Sequence, residues 1–349
     1  MPTRKYLLWP ILVTISGLAG CFWLGWTSTG TIVGALPYLF IGSVLSVLEI
    51  SLSFDNAIVN ANKLQYMTEV WRRRFLTWGI LIAVFGMRII FPLAIVAVAA
   101  QISPWAAVEL AIAEPSEYER IIGDAHLSIS AFGGTFLMMV ALTYFVDAGK
   151  EVHWIHPIEI CLQKGASIRG LEIVLVLIVI VGFASVLSDA LALTFLMSAL
   201  LGLLTFLGVD LLGELLDDRN ETVGTLARGG LGAFLYLEVL DASFSFDGVI
   251  GAFALTTNLF LIAIGLGVGA MYVRAMTIML VEKRTLTEFR YLEHGAFYSI
   301  LILSAIMFTQ SLIHVPEVIT GLMSAGFIGM ALWSSVLYNR KHVESLSSN

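Results

Sequence analysis

The sequence predicts an all-α polytopic membrane protein with about ten transmembrane helices and an inverted internal repeat. Three observations lead to this prediction: an apolar composition, a series of long apolar segments, and an acidic motif that occurs once in each half. Of the 349 residues, 58% are hydrophobic and only 13% are charged, whereas soluble domains carry about 25% charged residues. A soluble core cannot bury this much apolar surface, so a bilayer is the expected solvent.

Ten segments are long and apolar enough to cross a bilayer, which requires about 20 residues. They are 6–26, 31–62, 75–101, 125–146, 171–188, 190–209, 229–257, 258–282, 295–314 and 318–338. The first segment resembles a secretion signal, because Leu18–Cys21 is similar to a lipoprotein cleavage site. A retained first span is favoured, since the apolar run continues past the cysteine to Trp26.

The Lys and Arg residues predict the orientation of these segments. With the N-terminus in the cytoplasm, 16 of the 19 basic residues fall in cytoplasmic segments and only Arg120 falls outside, while Arg88 and Arg274 lie within spans. We therefore expect a multi-pass protein of the cell (inner) membrane with both termini in the cytoplasm. The external loop 102–124 is acidic, and it is interpreted as a solvated surface helix or as a vestibule that concentrates cations.

The two halves share a motif in which an acid precedes a Ser-Phe-Asp sequence by a fixed spacing and an arginine follows in the next span. The corresponding residues are Glu49, Asp55 and Arg88 in the first half and Asp241, Asp247 and Arg274 in the second. The first motif runs from outside to inside and the second from inside to outside. Two antiparallel acidic helices indicate an inverted repeat, which is typical of secondary transporters.

The repeat divides the chain into five parts. Residues 1–30 form an extra N-terminal span, and residues 31–146 form the first repeat. Cytoplasmic loops and two linking spans occupy 147–228. The second repeat covers 229–315, and the last span with a cytoplasmic tail covers 316–349.

Polar side chains at helical spacing form a stripe on each acidic helix. The stripes consist of Glu49, Ser53, Asn56 and Asn60 in the first half and of Glu238, Asp241, Ser245 and Gly248 in the second. Asp55 and Asp247 lie about 100° away from their stripes on an ideal helix. They join the stripes only if the helix is locally unwound or a neighbouring helix lies on that side. Ser243, Ser245 and Gly248 would permit such a break in the second half.

The acids outnumber the arginines that could neutralise them. A carboxylate at the bilayer centre costs at least about 2.5–3.5 kcal/mol and persists only when it is paired or functional. Pairing with Arg88 and Arg274 would hold the helix bundle together but would leave the remaining acids without an arginine partner. Bound cations or protons are therefore expected at those acids. The acids are Glu49, Asp55, Glu238, Asp241 and Asp247. Their oxygens favour hard ions such as Mn²⁺, Mg²⁺, Ca²⁺, Na⁺ or H⁺. His153, His156 and His294 are predicted to lie at the cytoplasmic boundary, outside this site.

Several segments resemble the TerC family of integral membrane proteins, and in detail an uncharacterised branch of it. They are 49–56, 133–137, 245–248, 257–258 leading into the Arg274 span, and 291–295, within a similarity that covers about residues 35–315. The resemblance implies a context of tellurite resistance and metal homeostasis, with manganese export in several relatives. It also implies acidic site positions, which are Glu49, Asp55, Asp241 and Asp247 with Asn56 beside them. Gly248 in the place of Asn56, and Glu238 as a second candidate acid beside Asp241, depart from the pattern and bear on ion preference.

The leading hypothesis is a secondary transporter that exports a divalent cation by alternating access, in exchange for protons, with Mn²⁺ favoured and Ca²⁺ or Mg²⁺ as alternatives. The expected metal ligands are Glu49, Asp55, Asn56, Asp241, Ser245 and Asp247, supported by Ser53, Asn60, Arg88, Glu238 and Arg274. No organic cofactor and no nucleic-acid partner are expected. The expected partners are membrane lipid, the metal ion or a proton, and a second copy of the chain in a homo-oligomer.

Two other hypotheses belong to different functional classes. A non-transporting membrane scaffold in metal or tellurite stress would lack an aspartate-dependent metal site. An intramembrane aspartyl protease could use Asp55 and Asp247 as a dyad that shares one proton. The Gly-x-Gly-Asp signature of such proteases is absent, and a phenylalanine precedes both aspartates. An enzyme is therefore not expected.

Overall fold

The structure is a computed structural model, and it describes residues 4–79, 82, 86, 89–168, 170–218, 230–256, 258–283, 285–313 and 315–347. Arg88 of the first motif lies outside these residues. The side chains of Ser245 and Asp247 also lie outside the description, although the helix that carries them is described.

The chain is helical wherever the structure describes regular elements, and no strand occurs in those residues, which confirms the all-α prediction. The helices are α1 (Arg4–Thr29), α2 (Ile32–Leu52), α3 (Phe54–Gln65), α4 (Glu69–Arg74), α5 (Phe91–Ala99), α6 (Pro104–Ala113), α7 (Pro115–Val146), α8 (His156–Lys164), α9 (Leu171–Val186), α10 (Asp189–Asp218), α11 (Leu231–Leu255), α12 (Leu259–Glu282), α13 (Thr285–Glu288), α14 (Leu292–Gln310) and α15 (Glu317–Ser347). A π-helical segment, Phe75–Gly79, follows α4.

Seven of the described helices are long and apolar enough to cross a membrane: α1, α2, α7, α10, α12, α14 and α15. The number rises to eight if α8 and α9, which are bent by 113° relative to each other, form one broken span. The chain therefore has the helices of a membrane protein, while the count of ten spans stays a prediction. The predicted span 229–257 corresponds to α11, which has 25 residues and carries three carboxylates. The predicted span 75–101 falls partly outside the described residues.

The predicted span 31–62 is not one helix, because the chain breaks at Ser53 between α2 and α3. Ser53 has φ −102° and ψ 15°, outside the helical region. At the break, the backbone N–H of Asn56 donates to the Asp55 side chain at 2.9 Å, instead of continuing the helical ladder. The polar side chain thus supplies an alternative to the backbone acceptor. The break separates Glu49 from Asp55.

The predicted loop 102–124 is largely helical, because α6 fills its first part and α7 begins ten residues before the predicted span 125–146. Pro104 and Pro115 stand in the first turns of these helices, where proline is well tolerated. On the exposed start of α7, Arg120 bonds Glu117 at 2.6 Å and Asp124 at 2.8 Å. These i,i+3 and i,i+4 pairs are those of a solvated surface helix.

Two helices organise the packing. Helix α7 is mostly buried and packs against α9, α10, α11 and α14, whereas α12 packs against α1, α2 and α3. Small residues bring the helices close together, as is common in membranes. For example, Ser304 on α14 donates a hydrogen bond to the Gly134 carbonyl on α7 at 2.7 Å. The motif helices α2, α3 and α11 lie between these two groups, because α11 contacts α2, α3, α7 and α12.

Candidate intramembrane acidic site

The two acidic motifs contact each other, and they do so in opposite directions. Asn60 on α3 donates its amide to Asp241 on α11, with 2.8 Å between Nδ2 and Oδ1. Glu49, eleven residues earlier, faces Gly248, seven residues later, where an added Cβ would lie 2.8 Å from Glu49 Oε2. Earlier residues of one motif thus meet later residues of the other, as in antiparallel helices. The direction agrees with the charge distribution, while the wider inverted repeat stays a prediction.

Glu49 is almost fully buried, with 2% of its surface exposed. The Ser53 hydroxyl donates to Glu49 Oε1 at 3.0 Å, so two predicted stripe residues bond each other. The side chain passes between two glycines: a Cβ at Gly269 on α12 would overlap its stem, and one at Gly248 would meet its carboxylate. This packing explains why glycine, and not asparagine, occupies position 248. The space that a side chain would take there is filled by Glu49.

A small cavity of about 20 Å³ lies beside Glu49. It is large enough for one water molecule or one ion, since about 10–15 Å³ suffices. Its lining combines polar groups with apolar side chains: Glu49, Ser53, Gly248, Thr320, Ser324, Leu52, Phe244 and Leu303. Thr320 and Ser324 come from α15, which the sequence analysis did not connect with the site.

Asp55 lies in the first turn of α3 and is 1% exposed. Its Oδ1 accepts the Asn56 backbone N–H at 2.9 Å, and its Oδ2 accepts the Ser299 hydroxyl of α14 at 2.8 Å. The positive end of the α3 dipole also favours a negative charge there. The break at Ser53 places Asp55 at this helix start, a local unwinding of the kind that the sequence analysis required. It turns Asp55 toward α14 rather than into the stripe.

Several oxygen atoms around α3 and α11 are buried without a hydrogen-bond donor. Both carboxylate oxygens of Glu238 have no partner among the described residues, and neither does Oδ1 of Asn56 or of Asn60. Glu238 is 6% exposed and Asp241 is 9% exposed. A Cβ at Gly79 of the π-helical segment would lie 2.7 Å from Glu238 Oε1, so backbone closes this side. Among the described residues, these four oxygen atoms lack a donor, which suits a cation or a proton.

The described part of the chain contains no group of three or more His, Cys, Asp or Glu side chains arranged to hold a metal ion. The arrangement of the second motif is only partly described, because the Asp247 and Ser245 side chains fall outside the description. The described oxygens of Glu238, Asp241 and the two asparagine amides are hard donors. They match divalent hard cations or protons better than soft metals.

Arg274 does not pair with a motif carboxylate among the described residues. Its Nε donates to the Leu76 carbonyl of the π-helical segment at 3.0 Å. The alternative in which Arg274 neutralises a motif acid is therefore not among the described contacts, while Arg88 and the Asp247 side chain lie outside the described residues. Glu49 accepts a hydroxyl donor, and Asp55 accepts a hydroxyl and a backbone donor.

A second buried cluster, centred on Glu159 of α8, was missed by the sequence analysis. Glu159 is fully buried and lies 3.1 Å from Lys150 Nζ, 3.5 Å from His153 and 3.4 Å from His294. Its other oxygen accepts the backbone N–H groups of Trp154 and Ile155. Burial lowers the pKa of Lys150, and the charge of Glu159 opposes that effect.

His294, which is predicted to lie near the cytoplasmic boundary, is buried against its neighbours in the structure, with 3% of its surface exposed. Its Nε2 donates to the Val152 carbonyl at 2.8 Å. Next to it, Glu293 accepts the amide of Asn62 on α3 at 2.6 Å. Helix α14 thus contacts Asp55 through Ser299 and the loop 147–155 through His294. Two features could have been found in the sequence: the charged run 147–153 and the 291–295 segment, to which no role was assigned.

The buried carboxylates and amides lie on antiparallel segments, in a chain with seven described helices that are long and apolar enough to cross a membrane. Residues 54–342 match the family described as "Protein of unknown function (DUF475)", and the chain belongs to this family. No curated protein and no solved structure matches the chain. The family match includes Asp55, Asn60 and the whole of α11, while α1 and Glu49 precede it.

Proposed function

We propose that this DUF475 protein is a secondary transporter that exports a hard cation, Mn²⁺ before Ca²⁺ or Mg²⁺, through the intramembrane acidic site. The observation that carries the proposal is the unpartnered Glu238 carboxylate beside Asp241, together with the donor-free amide oxygens of Asn56 and Asn60. A buried carboxylate in a membrane costs several kcal/mol unless a positive charge compensates it. Since Arg274 bonds a backbone carbonyl, a cation or a proton is the natural compensation.

The choice of a divalent cation rests on ligand chemistry and on resemblance. Carboxylate and amide oxygens ligate Mn²⁺, Mg²⁺ and Ca²⁺, and no cysteine or histidine contributes to the contacts between the motifs among the described residues. The resemblance of the 49–56 and 245–248 segments to the TerC family favours Mn²⁺ among these ions. Asp247 and Ser245 would complete the ligand set from α11.

Alternating access fits the geometry of the two motifs. The antiparallel contact between α3 and α11 has the arrangement that inverted repeats produce at the centre of secondary transporters. The break at Ser53 divides the first motif into two helical segments, with Glu49 on one and Asp55 on the other. Broken helices at an ion site let one half move relative to the other. Protons would occupy the carboxylates when the metal has left.

The setting of the proposal is the cell (inner) membrane, with both termini in the cytoplasm. The distribution of Lys and Arg between the loops supports this orientation. It places the Glu159 cluster and the Asn62–Glu293 contact on the cytoplasmic side of Asp55. A metal ion would then enter from the cytoplasm and leave to the outside.

Transport into proteoliposomes, followed with a metal-sensitive dye, tests the proposal. We expect Mn²⁺ flux from the wild type, no flux from Asp241→Asn, and flux from Glu238→Gln reduced at least about tenfold, which corresponds to about 1.4 kcal/mol of lost ion stabilisation. Glu117→Gln, on the solvated start of α7, is the matched control and should retain wild-type flux.

The proposal fails if Asp241→Asn carries Mn²⁺ at the wild-type rate, or if the wild type transports none of Mn²⁺, Ca²⁺ and Mg²⁺. Thermal unfolding gives a second measurement that does not depend on flux. Bound Mn²⁺ should raise the melting temperature of the wild type but not that of Glu238→Gln, because a ligand stabilises only the state that binds it. A wild type that Mn²⁺ leaves unchanged would support the membrane scaffold instead.

A further inference from the structure

A second cavity lies between α12 and α1, and its lining on α12 begins two residues after Gly269 and extends to the end of the helix. Its volume is about 250 Å³, more than ten times that of the cavity beside Glu49. Its lining residues are Tyr6, Trp9 and Pro10 of α1 and Met271, Arg274, Ala275, Ile278 and Glu282 of α12. The lining combines apolar side chains with polar groups, among them one cation and one anion. Nothing in the proposed transport function uses this space.

Arg274 is the cation of this cavity. A guanidinium has five N–H donors, and in the described structure only Nε is used, by the Leu76 carbonyl. The two terminal nitrogens have no acceptor among the described residues. The side chain is half-buried inside a membrane-spanning helix, where arginine normally bonds carboxylate, phosphate or carbonyl oxygens. The terminal nitrogens of Arg274 can therefore bind an anion in a bidentate manner in this cavity.

Glu282 is the anion, and it lies at the opposite end of the cavity. It is the last residue of α12 and is exposed, eight residues beyond Arg274, or about 12 Å along a helix axis. Tyr6 donates its hydroxyl to Glu282 Oε2 at 2.5 Å, which leaves Oε1 for another donor. The cation thus lies deeper along the span, and the anion lies at its end.

This order of charges matches the head group of one lipid class. In a phospholipid, the phosphate is attached near the acyl chains, and an ammonium group, where present, is at the outer end. A phosphate at Arg274 and an ammonium at Glu282 would satisfy both charges. Trp9, which is 64% exposed, and Tyr6 are aromatic residues of the kind that line the membrane interface.

We infer that the cavity between α1 and α12 binds a phosphoethanolamine-type phospholipid, with its phosphate at Arg274 and its primary ammonium at Glu282. A primary ammonium donates hydrogen bonds to a carboxylate, whereas the quaternary ammonium of a choline lipid cannot. An anionic glycerol lipid would place no positive charge at Glu282. The site therefore selects for the ethanolamine head group and not merely for phosphate.

The test is lipid retention by the purified full-length protein, measured by native mass spectrometry. The protein is mixed with phosphatidylethanolamine, phosphatidylcholine and phosphatidylglycerol that carry identical acyl chains. We expect phosphatidylethanolamine to be retained about fivefold over each of the others, the ratio expected from one partly exposed charge pair. Equal retention of all three lipids, or a preference for phosphatidylglycerol, would overturn the inference.

Two variants separate the two ends of the site. Glu282→Gln, at an exposed position, should bring the retention of phosphatidylethanolamine and phosphatidylcholine to the same level. Arg274→Gln should lower the retention of all three lipids. Arg290→Gln is the matched control, because Arg290 is an exposed arginine that bonds the Tyr338 hydroxyl, and it should change nothing. A Glu282→Gln protein that keeps the full ethanolamine preference would contradict the inference even if Arg274→Gln did not fold.

Discussion

The amide of Asn60 donates to the carboxylate of Asp241 across 2.8 Å, and this bond joins α3 to α11. The two residues are 181 positions apart in the chain and belong to different acidic motifs. Both are buried, Asn60 at 3% and Asp241 at 9% exposure. The bond thus fixes the register between the two segments on which the proposed transport site is built.

Replacing Asn60 by alanine tests this register. Asn60→Ala removes one donor from a buried carboxylate, which costs about 1–3 kcal/mol. We expect a fall of several degrees in the melting temperature of the purified protein, together with reduced Mn²⁺ flux. Asn339→Ala is the control, because the Asn339 amide bonds the Glu288 carbonyl on the exposed surface. Equal melting temperatures for the two variants would show that the Asn60–Asp241 bond does not hold the motifs together.

The two glycines beside Glu49 should respond differently to alanine. A Cβ at Gly269 would overlap the stem of Glu49, which the backbone holds in place, so Gly269→Ala should destabilise the fold by about 1–3 kcal/mol. A Cβ at Gly248 would instead meet the carboxylate, which can move. Gly248→Ala should therefore retain most of the stability but lose ion transport.

Gly208→Ala is the control for these two variants, since nothing lies within 4 Å of the added Cβ on α10. Helix propensity alone should make that variant more stable by about 0.5–1 kcal/mol. Thermal unfolding of the three variants, followed by flux measurements, checks the order. A Gly269→Ala protein as stable as Gly208→Ala would refute the packing of Glu49 between α11 and α12.

The Glu159 cluster gives a third prediction. Glu159→Gln leaves Lys150 without the carboxylate that lies 3.1 Å away in a buried setting. Removing one partner of a buried ion pair costs about 3–5 kcal/mol, so this variant should show the largest fall in melting temperature. Limited proteolysis should also cut the loop 147–155 faster, because Glu159 accepts the N–H groups of Trp154 and Ile155. Glu151→Gln, a neighbouring exposed acid, should change neither measurement.

The meeting of the two motifs could be predicted from the sequence for physical reasons. The sequence around Glu49, Asp55 and Asp241 is apolar, and a carboxylate in such surroundings requires a polar or charged partner. The distribution of basic residues predicts the direction of each helix. The antiparallel contact through Asn60 and Gly248 agrees with that prediction. The reason for Gly248 became visible only in the structure, because it depends on the position of a side chain from another helix.

The break at Ser53 and the partners of Asp55 could not be predicted. Neither glycine nor proline marks the break, and it depends on whether the Asn56 N–H bonds the backbone or the Asp55 carboxylate. Ser299 lies 244 residues from Asp55 in sequence and has no distinguishing neighbours. Glu159 is a single acid on a short helix, and its burial follows from how α8 packs against α7 and α14. Such contacts depend on packing between distant segments rather than on a local pattern.

Helix α14 carries both His294 and Ser299, which lie five residues or about 7.5 Å apart along the helix axis. Ser299 touches the buried aspartate, and His294 is tied to the peptide chain at Val152 near the membrane surface. A displacement of residues 147–155 would move α14 and would therefore change the position of the Ser299 hydroxyl that donates to Asp55. A binder or a covalent tag at residues 147–155 would therefore change ion occupancy at the proposed site around Asp55 without entering the membrane.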